Sequence, residues 1–182
     1  MALSKIQAES MNLADTYAFS GTVSGATPIT HIDQWRLTAN FAGGATPISS
    51  NLERVDTTGQ ATLGSAMTVS SGVFSFPVTG IWLIKANYLH YINGNSRYQS
   101  HYINVTTNNS NYSVVGEVIS FIKQTNGSST YTSAYQELTL DVTDVANVKC
   151  SFTLATDGTN VGTIGTTTQN QTYFTFIRLG DT

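Results

Sequence analysis

Ser71-Gly72-Val73-Phe74-Ser75-Phe76-Pro77-Val78-Thr79-Gly80-Ile81-Trp82-Leu83-Ile84 is the stretch on which the fold turns. Val73 to Phe76 alternates with the period of two of a half-buried strand, Pro77 to Gly80 makes a corner, and a second strand starts at Ile81. That second strand is apolar on both sides. Trp82, Ile84, Ala86 and Tyr88 share one face and suit the inside of the domain, while Ile81, Leu83 and Leu89 share the other, interrupted by Lys85 and Asn87. A strand of an all-β domain that is greasy on both sides has a further layer or another subunit against it. Assembly, rather than chemistry, is the leading expectation.

The same punctuation extends outward from this corner. Alternating or apolar segments fall near 34–41, 52–56, 66–69, 72–78, 80–92, 98–105, 112–123, 131–142, 146–155 and 172–179. Between them stand Gly44, Thr58-Gly59, Asn93-Gly94, Asn108-Asn109, Asn126-Gly127 and Asp157-Gly158, residue types that accept the positive φ of tight turns. Strands at this spacing predict an all-β protein, a β-sandwich of the jelly-roll kind. Thr163 to Asn170 and Thr125 to Thr130, poor in apolar residues, are expected to be exposed loops. Residues 1–27 read as an extended N-terminal arm in which Leu3, Ile6, Met11, Leu13, Tyr17 and Phe19 follow no sustained period, and residues 28–182 as one jelly-roll domain.

Composition sets further bounds. Charged residues are only 10% of the 182-residue chain, against roughly 25% in ordinary soluble proteins. With 8 Lys and Arg against 11 Asp and Glu, the net charge is -3, which offers no clustered cations for phosphate and excludes nucleic acid as an expected partner. The single Cys150 lies in an alternating run and reads as a small core residue. No run of apolar residues is long enough to insert in a bilayer, and the first residues lack the apolar stretch of a secretory signal. A polar, uncharged exterior on a chain expected to be made in a host cytoplasm suggests the outer surface of a virus particle.

The corner and its neighbours carry a resemblance. Gly72-Val73-Phe74, then Pro77-Val78-Thr79-Gly80, then Ile81-Trp82-Leu83-Ile84 resemble the signature of the C1q/TNF-like trimeric jelly rolls. Leu138-Thr139-Leu140-Asp141-Val142-Thr143-Asp144-Val145 is similar to that family's strand and acidic turn, with Thr143 where a Gly is usual, and Tyr173 to Leu179 is similar to its closing strand. The likeness covers roughly residues 31 to 180 and implies a homotrimer. Ile81, Leu83, Tyr173, Ile177 and Leu179 would then form the trimer interface. Lys85 and Arg178 depart from the apolar expectation; they either lie in water at an end of the trimer or need partners such as Asp141, Asp144 or Glu137. The arm, from Ser4 through Leu13 and Phe19 through Gly25, resembles segments of structural proteins of tailed bacteriophages.

Chemistry finds little support in the residues. His90-Tyr91-Ile92-Asn93 repeats as His101-Tyr102-Ile103-Asn104, and a hairpin with its turn near Ser96 would bring the two histidines together across strands. Two imidazoles do not complete a zinc site, so they read as strand histidines, with a shared metal on the trimer axis as the sharper alternative. No Gly-x-Ser-x-Gly elbow is present, and most carboxylates fall in turns or in the arm, so neither a nucleophilic triad nor a glycosidase pair is expected. Asp141 and Asp144 read as turn residues, with calcium as the lesser alternative.

These readings converge on a non-enzymatic virion structural protein without cofactor, a homotrimeric capsid decoration or cement protein. Its arm would dock on the major capsid protein or another virion protein. An arm of this length reaches at most roughly 90 Å when extended, enough for adjacent capsomers. The alternative is a receptor-binding tip or short fibre whose loops at 106–111, 125–130 and 157–170 recognise a host-surface glycan. A TNF-type signalling ligand is disfavoured by the absent signal or anchor.

Overall fold

Alternation of apolar and polar residues becomes twelve antiparallel strands in the computed structural model, which describes residues 29–92, 97–121, 130–158 and 160–182. The expected arm, with Leu3, Ile6, Met11, Leu13, Tyr17 and Phe19, lies outside the described residues, as does most of the 125–130 loop. The strands are β1 (Ile32–Leu37), β2 (Phe41–Ala42), β3 (Leu52–Arg54), β4 (Thr68–Ser70), β5 (Val73–Ser75) and β6 (Gly80–Ile92). There follow β7 (Tyr98–Thr106), β8 (Ser113–Phe121), β9 (Thr130–Val142), β10 (Lys149–Thr156), β11 (Val161–Thr163) and β12 (Tyr173–Gly180). No helix occurs among the described residues.

Two sheets form. One runs β2-β11-β6-β12-β1-β3, with β9 on the remaining edge of β6; the other runs β4-β5-β10-β7-β8. The long strand β6 organises the first sheet. Along one edge it pairs with β9 over its whole length, and along the other it takes β12 from Ile81 to Asn87 and β11 from His90 to Ile92. Partners distant in sequence, such as β5 with β10 and β1 with β12, give the crossed connections of a jelly roll.

The expected inner face of β6 is confirmed: Trp82, Ile84, Ala86 and Tyr88 are all 1% exposed or less. They meet an aromatic cluster centred on Phe74, whose ring lies 5.7 Å from Trp35, 5.5 Å from Phe152 and 5.1 Å from Phe176. Phe152 stacks on Phe174 at 3.8 Å, tying the two sheets together. Such pairs add about 0.5–1.5 kcal/mol each beyond the area they bury. Cys150 is fully buried in the same core, and desolvation pushes its thiol pKa up, in keeping with a packing role.

A buried carboxylate fixes the long connection between β3 and β4. Asp33, on the inner face of β1, accepts from the Met67 backbone N–H (2.8 Å), Trp35 Nε1 (3.2 Å) and Arg54 Nε (3.1 Å). Arg54 in turn lies over the Trp35 ring at 4.8 Å. A charge this enclosed is tolerated because it is paired and hydrogen-bonded on several sides.

Two expectations are corrected. His90 and His101 are not cross-strand partners of a hairpin, because β6 and β7 belong to different sheets and the histidines face each other across the sandwich. The stretch from Thr163 is not wholly an exposed loop. Val161, Gly162, Thr163 and Ile164 are buried, because β11 takes over the edge of β6 where β12 has departed. There the Tyr91 ring lies so close to Gly162 that a side chain at that position would have to displace it.

Candidate functional site

The outer face of the first sheet is the candidate. Alternation along β6 turns Ile81, Leu83, Lys85, Asn87, Leu89 and Tyr91 outward, each half-buried within a single chain. Register then assembles rows across the strands. Leu83 pairs with Ile177 of β12, and Ile177 pairs with Ile32 of β1, giving three apolar side chains abreast. Beside them lie Ile81, opposite the irregular step between Arg178 and Gly180, and Leu179, which is 41% exposed. Leu63, bridged to Ile32 and 46% exposed, extends the patch.

The next row is polar and pairs within itself. Lys85 stands opposite Glu137 of β9, with its Nζ 3.7 Å from the carboxylate. Gln34 donates to Thr175 Oγ1 (2.7 Å) and accepts from Asn170 Nδ2 (2.6 Å). Beyond this row come Tyr173 and Asn87, whose amide donates to the Gln171 carbonyl (2.7 Å), and Tyr135 opposite Asn87. The Tyr135 hydroxyl donates to Glu137, and that bond pushes its pKa up to about 12. Polar groups that already hold one another are the kind an interface can cover without leaving unmet donors.

All five residues expected at a subunit interface, Ile81, Leu83, Tyr173, Ile177 and Leu179, therefore lie on this one face. Of the two charges, Lys85 lies within the face and takes Glu137, one of the partners considered for it. Arg178 does not point at the face. Its register with Trp82 turns it to the inner side at the end of the sandwich, where it donates to the Thr79 carbonyl (2.8 Å), to Thr30 Oγ1 (3.3 Å) and to Asp181. Asp144 caps a turn, accepting from the Ala146 N–H (2.8 Å) and Asn147 Nδ2 (2.7 Å).

The histidines are elsewhere altogether. Both are fully buried between the sheets, with Ser120 Oγ 3.1 Å from His90 Nε2 and 3.2 Å from His101 Nε2. Desolvation lowers the pKa of His90 to about 4, and desolvation together with the neighbouring His90 lowers that of His101 to about 3. Buried on the inner faces of their strands, they do not reach the outer face where an axial metal would lie. Among the described residues no group of three or more His, Cys, Asp or Glu is placed to hold a metal ion.

Sequence reasoning missed two parts of the surface. Ile32 went unread because the strand was expected to begin at 34; the alternation Ile32-x-Gln34-x-Arg36 contained it. The outward side of β8 carries Val115, Ile119 and Phe121, 53%, 51% and 77% exposed, with Val114 beside them at 56%, a pattern masked in sequence by Glu117 and the half-buried Val118 among them.

No family model matches the chain, and no curated protein sequence matches it. Solved structures do. The chain superposes on Eiger TNF from S. frugiperda with a TM-score of 0.63 at 10% identity, covering 85% of this chain and 96% of that one. Two crystal structures of murine APRIL give TM-scores of 0.56 and 0.54 at 11% and 9% identity, each over 82% of this chain and 98% of theirs. The fold is a TNF-type jelly roll. At such identities the likeness carries architecture alone, and the C1q/TNF-like fold expected from the Gly72 to Ile84 corner is thereby confirmed.

Proposed function

We propose that this jelly roll assembles as a homotrimer through the outer face of the β9-β6-β12-β1 sheet and serves as a non-enzymatic structural component of a bacteriophage particle, decorating its capsid. The observation that carries the assembly is the row Leu83, Ile177 and Ile32, continued by Ile81 and Leu179 on a sheet whose other face is already packed. An apolar patch of this kind is stabilised by leaving water, at about 25 cal/mol per Å². Threefold closure rests on the resemblance of the three sequence motifs to C1q/TNF-like trimers, since rotation of a face onto a different surface of the next copy closes a ring.

The particle role is supported by the low charge and by the arm's resemblance to tailed-phage structural proteins. Three arms joined by one trimer would act together: each weak attachment raises the effective concentration of the others, and binding only the mature shell stabilises it. Counting chains in purified particles by quantitative mass spectrometry tests this. Copies in the hundreds support a shell component; one trimer or a few point to the tail, and absence from the particle overturns the reading.

A further inference from the structure

The second sheet, turned away from the proposed assembly face, carries a pocket of about 220 Å³ on its outer surface. Its floor follows from register. Ser151 of β10 pairs with Val73 of β5 on one side and Asn104 of β7 on the other, which puts three side chains in a row, and Thr153 opens the next row. One wall exists because β5 is short. Beyond Val73 the free edge of β10 is taken by the 45–48 segment, with Ala45 N–H to the Leu154 carbonyl (2.9 Å) and Ile48 N–H to the Phe152 carbonyl (2.8 Å), so that Thr46 and Pro47 stand beside the floor. The other wall is Tyr112, 39% exposed, at the end of the 107–112 connection.

That connection is held firmly. Asn108 Oδ1 accepts from the backbone N–H groups of Ser110 (3.0 Å) and Asn111 (2.8 Å), and the Asn109 N–H donates to the Asn147 carbonyl (3.0 Å). The floor is fixed too. Asn104 Nδ2 donates to Thr153 Oγ1 at 2.8 Å, which orients the amide and leaves its oxygen and the Thr153 hydroxyl proton for a ligand.

No charged side chain lines the pocket, and Lys149, one row away, is engaged by Ser75 Oγ at 2.9 Å. The lining thus combines an aromatic ring, a proline ring and Val73 with hydroxyls and one amide. This set fits a ligand with an apolar C–H face and a rim of hydroxyls but no charge. We propose that the pocket binds one neutral pyranose residue of a glycan, its C–H face on Tyr112 and its hydroxyls on Asn104, Ser151 and Thr153. At about 220 Å³ the site is smaller than the roughly 300–1,000 Å³ of drug-sized pockets and suits a single ring. The site needs only the folded domain, so it stands whether or not the domain decorates a capsid.

The test is a titration of the full chain with glucose, galactose and N-acetylglucosamine, read by protein-observed NMR and by saturation transfer to the sugar. At least one sugar is expected to give saturable shifts clustered on Val73, Asn104, Tyr112, Ser151 and Thr153. Tyr112→Ala and Asn104→Ala are each expected to weaken it about tenfold or more without changing the melting temperature by more than a few degrees. A sialylated sugar should bind no more tightly than its neutral parent. No saturable binding of any of the three sugars, or binding that both variants leave intact, overturns the proposal. Trimer formation and particle binding are read separately and do not bear on this result.

Discussion

Leu83 of β6 and Ile177 of β12 are register partners on the half-exposed face of the first sheet, and Ile32 of β1 prolongs their row. The same two strands bury Ile84 and Phe176, also register partners, completely on the opposite face. Stability of the single chain therefore rests on one side of these strands and, on the proposed reading, association rests on the other.

A charge in the middle of the row separates the two. Leu83→Asp is expected to leave the fold intact, because the side chain is half-solvated in one chain, but to place an unpaired carboxylate in each subunit contact. Association should weaken by at least about a hundredfold, equivalent to roughly 2.8 kcal/mol. Light scattering with circular dichroism checks it: a folded monomer is expected, as it is for Ile177→Asp. A wild-type chain that is itself monomeric sinks the interface.

Removal of residues 1–27 tests the arm independently. The truncated chain should remain a soluble trimer, since among the described residues every element of the first sheet begins at Ile32 or later. It should no longer co-sediment with particles that lack the native protein. Retained co-sedimentation would move the attachment onto the jelly roll itself.

The corner between β5 and β6 depends on a glycine. Gly80 has φ of +138°, and a side chain there would collide with the Gly180 carbonyl oxygen, so Gly80→Ala is expected to cost about 2–4 kcal/mol. Urea unfolding measures this as a lower midpoint with an unchanged slope. A loss under 0.5 kcal/mol would mean that the corner relaxes freely.

Local signals were legible where they coincide with a long strand. A long run of apolar and aromatic residues, closed by Asn93-Gly94, marked β6 at its observed bounds, and Pro77 to Gly80 marked the corner before it. What the sequence could not display was which distant segment covers which. Arg36 is fully buried because Glu53, Asp56 and Thr57, 17 to 21 residues further along the chain, fold over it. Strand β11 is three residues long and exists only because β12 leaves the β6 edge after Asn87. The histidine tetrapeptides looked like a hairpin because chain separation says nothing of a crossing between sheets. On the candidate face the apolar residues of β6 and β12 lie on the one side where their alternation put them, whereas Leu63 joins only through its bridge to Ile32.

The buried histidines give the domain a defined response to acid. Ser120 can donate its one hydroxyl proton to only one imidazole, so the other donates to it, and the lowered pKa values keep both rings neutral near pH 7. Their Nδ1 atoms find no partner among the described residues, which removes any hydrogen bond that would favour an added proton. In the unfolded chain both protonate near pH 6.5, but in the folded chain only at about 4 for His90 and about 3 for His101. The unfolded state thus holds more protons between these limits. The pair's contribution to stability is constant above about pH 7, falls as the pH drops through 6.5 towards 3, and levels below that. Over the steep part each histidine contributes a slope of about 1.4 kcal/mol per pH unit. Urea unfolding at pH 7, 6, 5 and 4 measures the slope, and His101→Gln should reduce it by about half. Imidazole NMR signals that titrate near 6.5 in the folded protein would show that the pair is open to water.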